Sequence, residues 1–249
     1  MFKNKLTYQY QPIVDLIDLR LVRHEALLRI DEVSDIEGFT RGLEHTGQII
    51  ELDLHTLERA VSLQEQVASF TALAVAINVS AISLVDREFQ IQALTLLEKR
   101  HESLDISIEI TESAPIKDMN SATQFVRNLQ ATGCSVGMDD YGDGYANLEV
   151  LNQLHLDYLK LSSCLTTNLL ESDIARRTIA EALRMANDRG IKVVAEHIDN
   201  IRQYLVLKDM GIHYGQGWLF AKAGPLISDP EQFQNELGAK IYQGIQDSF

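Results

Sequence analysis

The chain has 249 residues, 45% of them hydrophobic, with only four prolines and fourteen glycines, so it can build a packed core and is neither disordered nor collagen-like. Its 36 acidic residues against 22 lysines and arginines leave a net charge of −14, which disfavours duplex nucleic acid and anionic membrane as partners. No run approaches the roughly 18 uninterrupted apolar residues of a membrane span, and the start Met1-Phe2-Lys3-Asn4-Lys5-Leu6 is expected to carry no secretory signal.

The first 30 residues hold two strand-like runs, Tyr8 to Leu16 and Leu21 to Ile30, joined by Ile17-Asp18-Leu19-Arg20. That connection is too short for a helix, so the pair is expected as an antiparallel hairpin. On the second run Arg23, Glu25, Leu27 and Arg29 share one face. An inward glutamate there is expensive to bury without a partner. Ser34-Asp35-Ile36-Glu37 then reads as a capping box opening a helix that Gly47 closes.

Beyond this point apolar strand-like runs alternate with amphipathic stretches. The predicted strands are Leu73 to Val79, Asp105 to Ile110, Cys134 to Asp139, Leu156 to Leu161, Lys192 to Ile198 and Ile212 to Leu219. The predicted helices are Ile50 to Ser69, Asp86 to Glu102, Met119 to Thr132, Asp173 to Arg189 and Asn200 to Met210. Several end in glycine directly before the next strand, at Gly133, Gly190 and Gly211. No linker divides the chain, so residues 1–249 are expected to form one α/β domain. Large aliphatics fill one face of the predicted strands and small or polar residues the other: Val75 and Ile77 oppose Ala76 and Asn78, and Ile106 and Ile108 oppose Ser107 and Glu109. This favours a (β/α)8 TIM-like barrel over a doubly wound sheet, whose strands would be apolar on both faces. The hairpin makes that barrel irregular at its start, with an antiparallel first strand. Cys134 and Cys164 are read as reduced packing thiols of a cytoplasmic protein.

The polar residues at the predicted strand ends are Glu25, Asn78, Glu109, Asp139 with Asp140, Lys160, Glu196 and Gln216, spaced 20 to 36 residues apart from Asn78 onward. In a barrel they converge on one mouth. Carboxylates crowded there repel one another or take up protons unless cations sit between them. A set of oxygen ligands without histidine or cysteine suits Mg²⁺ or Mn²⁺ rather than Zn²⁺. Asp139-Asp140 allows one carboxylate to bridge two ions, an arrangement that clamps the attacking and leaving oxygens of a phosphoester. Gly142-Asp143-Gly144 is a turn and Trp218 a core or mouth-lining residue; the histidines lack ligand spacing.

The ordered set resembles the EAL domain, the cyclic-di-GMP phosphodiesterase family, over essentially the whole length. Glu25-Ala26-Leu27-Leu28-Arg29 carries the eponymous signature, preceded by Gln11-Pro12-Ile13-Val14. Ile77-Asn78-Val79-Ser80, Glu109-Ile110-Thr111-Glu112-Ser113, Asp139-Asp140-Tyr141-Gly142-Asp143-Gly144-Tyr145, Lys160-Leu161-Ser162, Ala195-Glu196-His197-Ile198-Asp199 and Gln216-Gly217-Trp218-Leu219-Phe220 follow in the family's order. Ser162, Asp199 and Asp143 depart from its usual residues. The resemblance implies hydrolysis of cyclic-di-GMP to linear pGpG with two Mg²⁺ or Mn²⁺ ions, and inhibition by Ca²⁺. Glu25, Asn78, Glu109 and Asp139 would bind one ion, and Asp139, Asp140 and Glu196 the other. Lys160 and Glu196 would position or deprotonate the attacking water. Glu112 would hold the loop after Asp139-Asp140, and Gln11, Leu27, Arg29 and Gln216 would contact substrate. The alternative is a domain that binds cyclic-di-GMP without turnover, or a protein-binding regulator. No sensor or cyclase domain is expected in the chain, and a homodimer is left open.

Overall fold

A computed structural model describes residues 5–67, 73–99, 104–111, 113–142 and 148–247. In chain order the elements are β1 (Leu6–Asp15), β2 (Leu21–Ile30), α1 (Ile36–Thr46), α2 (Ile49–Val67), β3 (Leu73–Ser80), α3 (Ala81–Leu84), α4 (Arg87–Glu98), β4 (Leu104–Thr111) and α5 (Met119–Ala131). They continue with β5 (Ser135–Tyr141), α6 (Leu148–Gln153), β6 (Tyr158–Leu161), α7 (Ser163–Thr167), α8 (Asp173–Asn187), β7 (Lys192–Ala195), α9 (Ile201–Asp209), β8 (Tyr214–Gly215) and α10 (Pro230–Gln246).

The eight strands close into a barrel in sequence order. β1 and β2 form the expected hairpin, with Gln11 opposite Glu25, and β1 also pairs antiparallel with β8. All remaining pairs are parallel. The hairpin turn is fixed locally: Asp15 Oδ1 accepts the Ile17 N–H at 2.7 Å, and Leu19 adopts a left-handed φ of 61°. The five-residue link from Leu16 to Arg20 cannot carry a crossover helix, so β1 alone runs against the others.

The strand faces divide as their chemistry demands. Val75, Ile77, Val79, Ile106, Ile108 and Ile110 join the large core between barrel and helices, with Phe89, Leu97 and Phe125 packed against them from α4 and α5. A second, small apolar cluster of Ile13, Tyr158, Val194 and Tyr214 lies on the opposite strand faces, inside the barrel. The polar strand-end residues therefore have an apolar floor beneath them.

Several boundaries differ from expectation. Asp35, not Ser34, caps α1, because its carboxylate accepts the Gly38 N–H at 2.8 Å. The last three strands are shorter than their apolar runs, ending in β7 at Ala195 and in β8 at Gly215. Past those points the chain braces itself across loops: Ile198 N–H donates to the Gln216 carbonyl at 3.0 Å, and Leu219 N–H to the Ile198 carbonyl at 3.0 Å. The helix over Pro230–Gln246 was not anticipated, although Asp229 caps it and Pro230 sits in its first turn. Gly47, Gly133, Gly190 and Gly211 all take left-handed φ values after helices, as read from sequence. No described helix is long and apolar enough to cross a membrane.

The loop bracing generates a stability prediction. A Cβ at Gly217 would overlap the backbone of Ile198. Gly217→Ala is expected to destabilise the protein by about 1–3 kcal/mol, the usual cost of forcing extra volume into a packed site. A melting curve should show Tm lowered by several degrees; an unchanged Tm would show that the two loops separate without cost.

Candidate active site

The strand ends bring together the acidic residues that the spacing set apart. Lys160, on β6, has no solvent exposure, and its Nζ lies 2.7 Å from Glu196, 2.9 Å from Glu109, 2.9 Å from Asp139 and 3.1 Å from Glu25. Burial alone would lower its pKa, but the four carboxylates outweigh burial and hold it well above the ordinary lysine value.

One ammonium does not satisfy four buried carboxylates. Burial pushes Glu109 up to about 7, opposed by Lys160 and assisted by Glu25 and Asp139. Burial also raises Asp139, and raises Glu196 well above the usual carboxylate range. Glu25 is the exception. Burial raises it too, but Lys160 and hydrogen bonds from Gln216 and Asn78 prevail and lower it. The group as a whole calls for more positive charge than Lys160 supplies.

Carboxylate oxygens of Glu25, Glu109 and Asp139 lie within 4.8 Å of one another, and so do those of Asp139, Asp140 and Glu196. Asp139 is common to both sets. Consecutive strand residues normally point to opposite faces. Here the β5–β6 register breaks between Met138 and Tyr141, and Asp140 takes a left-handed φ of 54°. That irregularity brings both aspartates to one site, and a non-glycine residue holds the strained conformation there. Asn78 donates to Glu25 Oε1 at 2.8 Å, while its own Oδ1 is buried without a hydrogen-bond partner. An orphaned amide oxygen beside three carboxylates fits a hard divalent cation.

Gln216 Nε2 donates to Glu25 Oε2 at 2.8 Å and to Gln11 Oε1 at 3.3 Å, and Gln11 in turn donates to the Ala221 carbonyl at 3.2 Å. Leu27 and Arg29 line an open cleft of about 670 Å³ that reaches Asn78, Asp139 and Asp140. The Arg29 guanidinium is held by Gln9 Oε1 and the Leu28 carbonyl, both at 2.9 Å. Glu112 and Asp143 lie outside the described residues. Ser162 is fully buried and its hydroxyl has no partner, so it takes no part in holding Lys160. Asp199 Oδ1 accepts the Trp218 N–H at 3.2 Å. Trp218 is 62% exposed rather than core, with Lys222 Nζ 4.5 Å from its ring centre.

Sequence reasoning overlooked the layer below. Tyr158, two residues before Lys160, donates its hydroxyl to Glu109 Oε1 at 2.9 Å. Arg23, two residues before Glu25, stacks on the Tyr158 ring and bonds Ser107. The period of two along each strand places both residues on the inward faces that carry Glu25 and Lys160.

The EAL domain family matches residues 2–223. The chain belongs to the EAL domain family. It is 32% identical over 238 residues to a cyclic di-GMP phosphodiesterase of Pseudomonas aeruginosa, covering 92% of this chain and 39% of that protein. It is 29% identical over 212 residues to the cyclic di-GMP phosphodiesterase PdeF of Escherichia coli K12, covering 83% of this chain and 28% of the relative. The chain thus spans well under half the length of these relatives. The blue light- and temperature-regulated antirepressor BluF of the same E. coli strain is also similar, at 28% identity over 90% of this chain and 57% of BluF. Among solved structures, the PaMucR phosphodiesterase in complex with c-di-GMP superposes with a TM-score of 0.79 at 24% identity, over 90% of this EAL chain and 93% of that one.

The electrostatics predict a pH-dependent response to metal. Glu109 titrates near 7 when folded against an ordinary 4.5, so between those values the folded state binds more protons than the unfolded one. Metal-free stability therefore falls as pH rises through that window. A divalent cation held by these carboxylates would replace the protons that are lost. The Tm increase on adding Mn²⁺, measured by calorimetry, is expected to be larger at pH 8 than at pH 5.5. Equal increments would show that these carboxylates do not bind the ion.

Proposed function

We propose that this EAL domain hydrolyses cyclic-di-GMP to linear pGpG in the cytoplasm, using two Mg²⁺ or Mn²⁺ ions. The observation that carries the reading is the pair of carboxylate sets sharing Asp139, with the orphaned Oδ1 of Asn78 beside the first. One relative, BluF, is named an antirepressor, so the reading rests on the ligand set and not on family resemblance alone. Two free cysteines, one buried, suit the reducing compartment.

Glu25, Asn78, Glu109 and Asp139 would hold one ion, and Asp139, Asp140 and Glu196 the other. Bound there, the ions supply Lewis acidity toward the phosphodiester oxygens. Glu196, whose pKa burial raises, accepts the proton of the attacking water. Lys160, 2.7 Å from Glu196, keeps positive charge beside that carboxylate and stabilises negative charge developing at phosphorus. Attack forms a P–O bond to the water oxygen and breaks one P–O3′ bond; the 3′ oxygen leaves with the bonding pair, takes up a proton from solvent to become a hydroxyl, and the ring opens. Arg29 and Leu27 on the cleft wall, with Gln11 and Gln216 beside Glu25, would contact the dinucleotide. Ser162 does not argue for an inactive domain, because four carboxylates already hold Lys160 without it.

The test is pGpG formation by the purified chain with Mn²⁺. Glu25→Ala and Asn78→Ala are each expected to lower kcat by about 100-fold or more, since losing an ion removes several kcal/mol of transition-state stabilisation. Wild-type turnover in either variant would overturn the ligand assignment. Ca²⁺, larger and looser in its coordination, is expected to support binding of cyclic-di-GMP by calorimetry and to block hydrolysis.

A further inference from the structure

Glu109, Gly137 and Tyr158 form one row across three adjacent strands. Glu109 pairs with Gly137 on β5, and Gly137 pairs with Tyr158 on β6. The Tyr158 ring lies directly over Gly137: a Cβ at that position would overlap ring atoms Cδ2, Cε2 and Cζ. Gly137 is not among the described glycines with left-handed φ, so what it supplies is space and not conformation. The ring passes over a whole strand and delivers its hydroxyl 2.9 Å from Glu109 Oε1.

The ring is also held from its other side. The Arg23 guanidinium stands 4.7 Å from the ring centre and donates to Ser107 Oγ. Ile13, Val194 and Tyr214 complete the apolar packing around Tyr158, which is 3% exposed. A tyrosine in such a floor needs no hydroxyl for packing, and a buried hydroxyl is costly unless it is bonded. The partner it finds is the one Glu109 oxygen that Lys160 does not hold: Lys160 Nζ lies 2.9 Å from Oε2.

We propose that Tyr158, admitted by Gly137 and braced by Arg23, is a positioning residue that fixes the carboxylate plane of Glu109 for cation binding. This rests on the metal reading given above. An ammonium shared among four carboxylates imposes no plane on any one of them. A rigid O–H donor at the second oxygen does, and it leaves the remaining lone pairs directed toward Glu25 and Asp139. Partners of this kind behind metal ligands are worth about 10–100-fold in affinity.

The test is calorimetric titration of the metal-free chain with Mn²⁺. Tyr158→Phe is expected to weaken the Mn²⁺ Kd by about 10–100-fold. Turnover should fall at limiting Mn²⁺ and recover at saturating Mn²⁺, with KM for cyclic-di-GMP unchanged. In a Glu109→Gln background the Tyr158→Phe change should cost no further affinity, because the hydroxyl acts through that carboxylate. Gly137→Ala displaces the same ring without removing an atom from the network and is expected to weaken Mn²⁺ binding likewise; it carries the test if Tyr158→Phe fails to fold. An unchanged Mn²⁺ Kd alongside a lowered Tm would overturn the inference and leave the ring as packing, and so would a further affinity loss in the Glu109→Gln background. Failure of the wild type itself to bind Mn²⁺ would remove the metal reading, and this inference with it.

Discussion

Everything at the mouth of the barrel depends on one buried ammonium. Lys160 lies within 3.1 Å of carboxylates from Glu25, Glu109, Asp139 and Glu196, and those side chains come from β2, β4, β5 and the end of β7. No local segment could hold this cluster together. Each carboxylate is desolvated, and each is tolerable only because the others bring the shared cation within reach. Closing the barrel is what places them there, and this explains why polar residues end strands that are otherwise apolar.

The barrel interior is organised in steps of two residues. Arg23, Ser107 and Tyr158 lie one step below Glu25, Glu109 and Lys160 on β2, β4 and β6. Side chains from alternate strands share a layer in barrels of this kind. The lower layer is packed and nearly dry, joined to Ile13, Val194 and Tyr214. The upper layer carries the charge. Rigidity in the first fixes geometry in the second, since the Tyr158 hydroxyl rises from the floor and ends on Glu109.

Much of this was legible in the sequence, for identifiable reasons. The four residues between Leu16 and Leu21 force a hairpin whatever follows. The alternation of Val75 and Ile77 with Ala76 and Asn78 fixes which face turns inward, and the strand-end residues then converge by topology alone. Three things were not legible. The short β8 hides inside the apolar run Ile212 to Leu219, because the loop there is tied to Ile198 by backbone hydrogen bonds rather than by strand pairing. The joint presence of Asp139 and Asp140 depends on a register break and a left-handed backbone, and nothing in an Asp-Asp pair signals either. Tyr158 reads as core because it is core; only its neighbour across Gly137 gives its hydroxyl a purpose.

Charge balance gives the proposed two-cation reading its physical sense. Glu25, Glu109, Asp139, Asp140 and Glu196 carry five negative charges when ionised, and Lys160 returns one. The remaining four match two divalent cations. With a single ion the mouth stays at −2, on a chain whose net charge is already −14, and a phosphodiester approaching it would be repelled. Protons could make up the difference only below the raised pKa values of Glu109 and its neighbours, and they would disable the oxygens needed as ligands. Two cations bring the mouth to neutrality with every ligand ionised, and the negative phosphodiester then meets local positive charge at the ions instead of a ring of carboxylates. The acidity that makes duplex nucleic acid an unfavourable partner for the surface would, at this one point, collect the charge that the proposed anionic substrate requires.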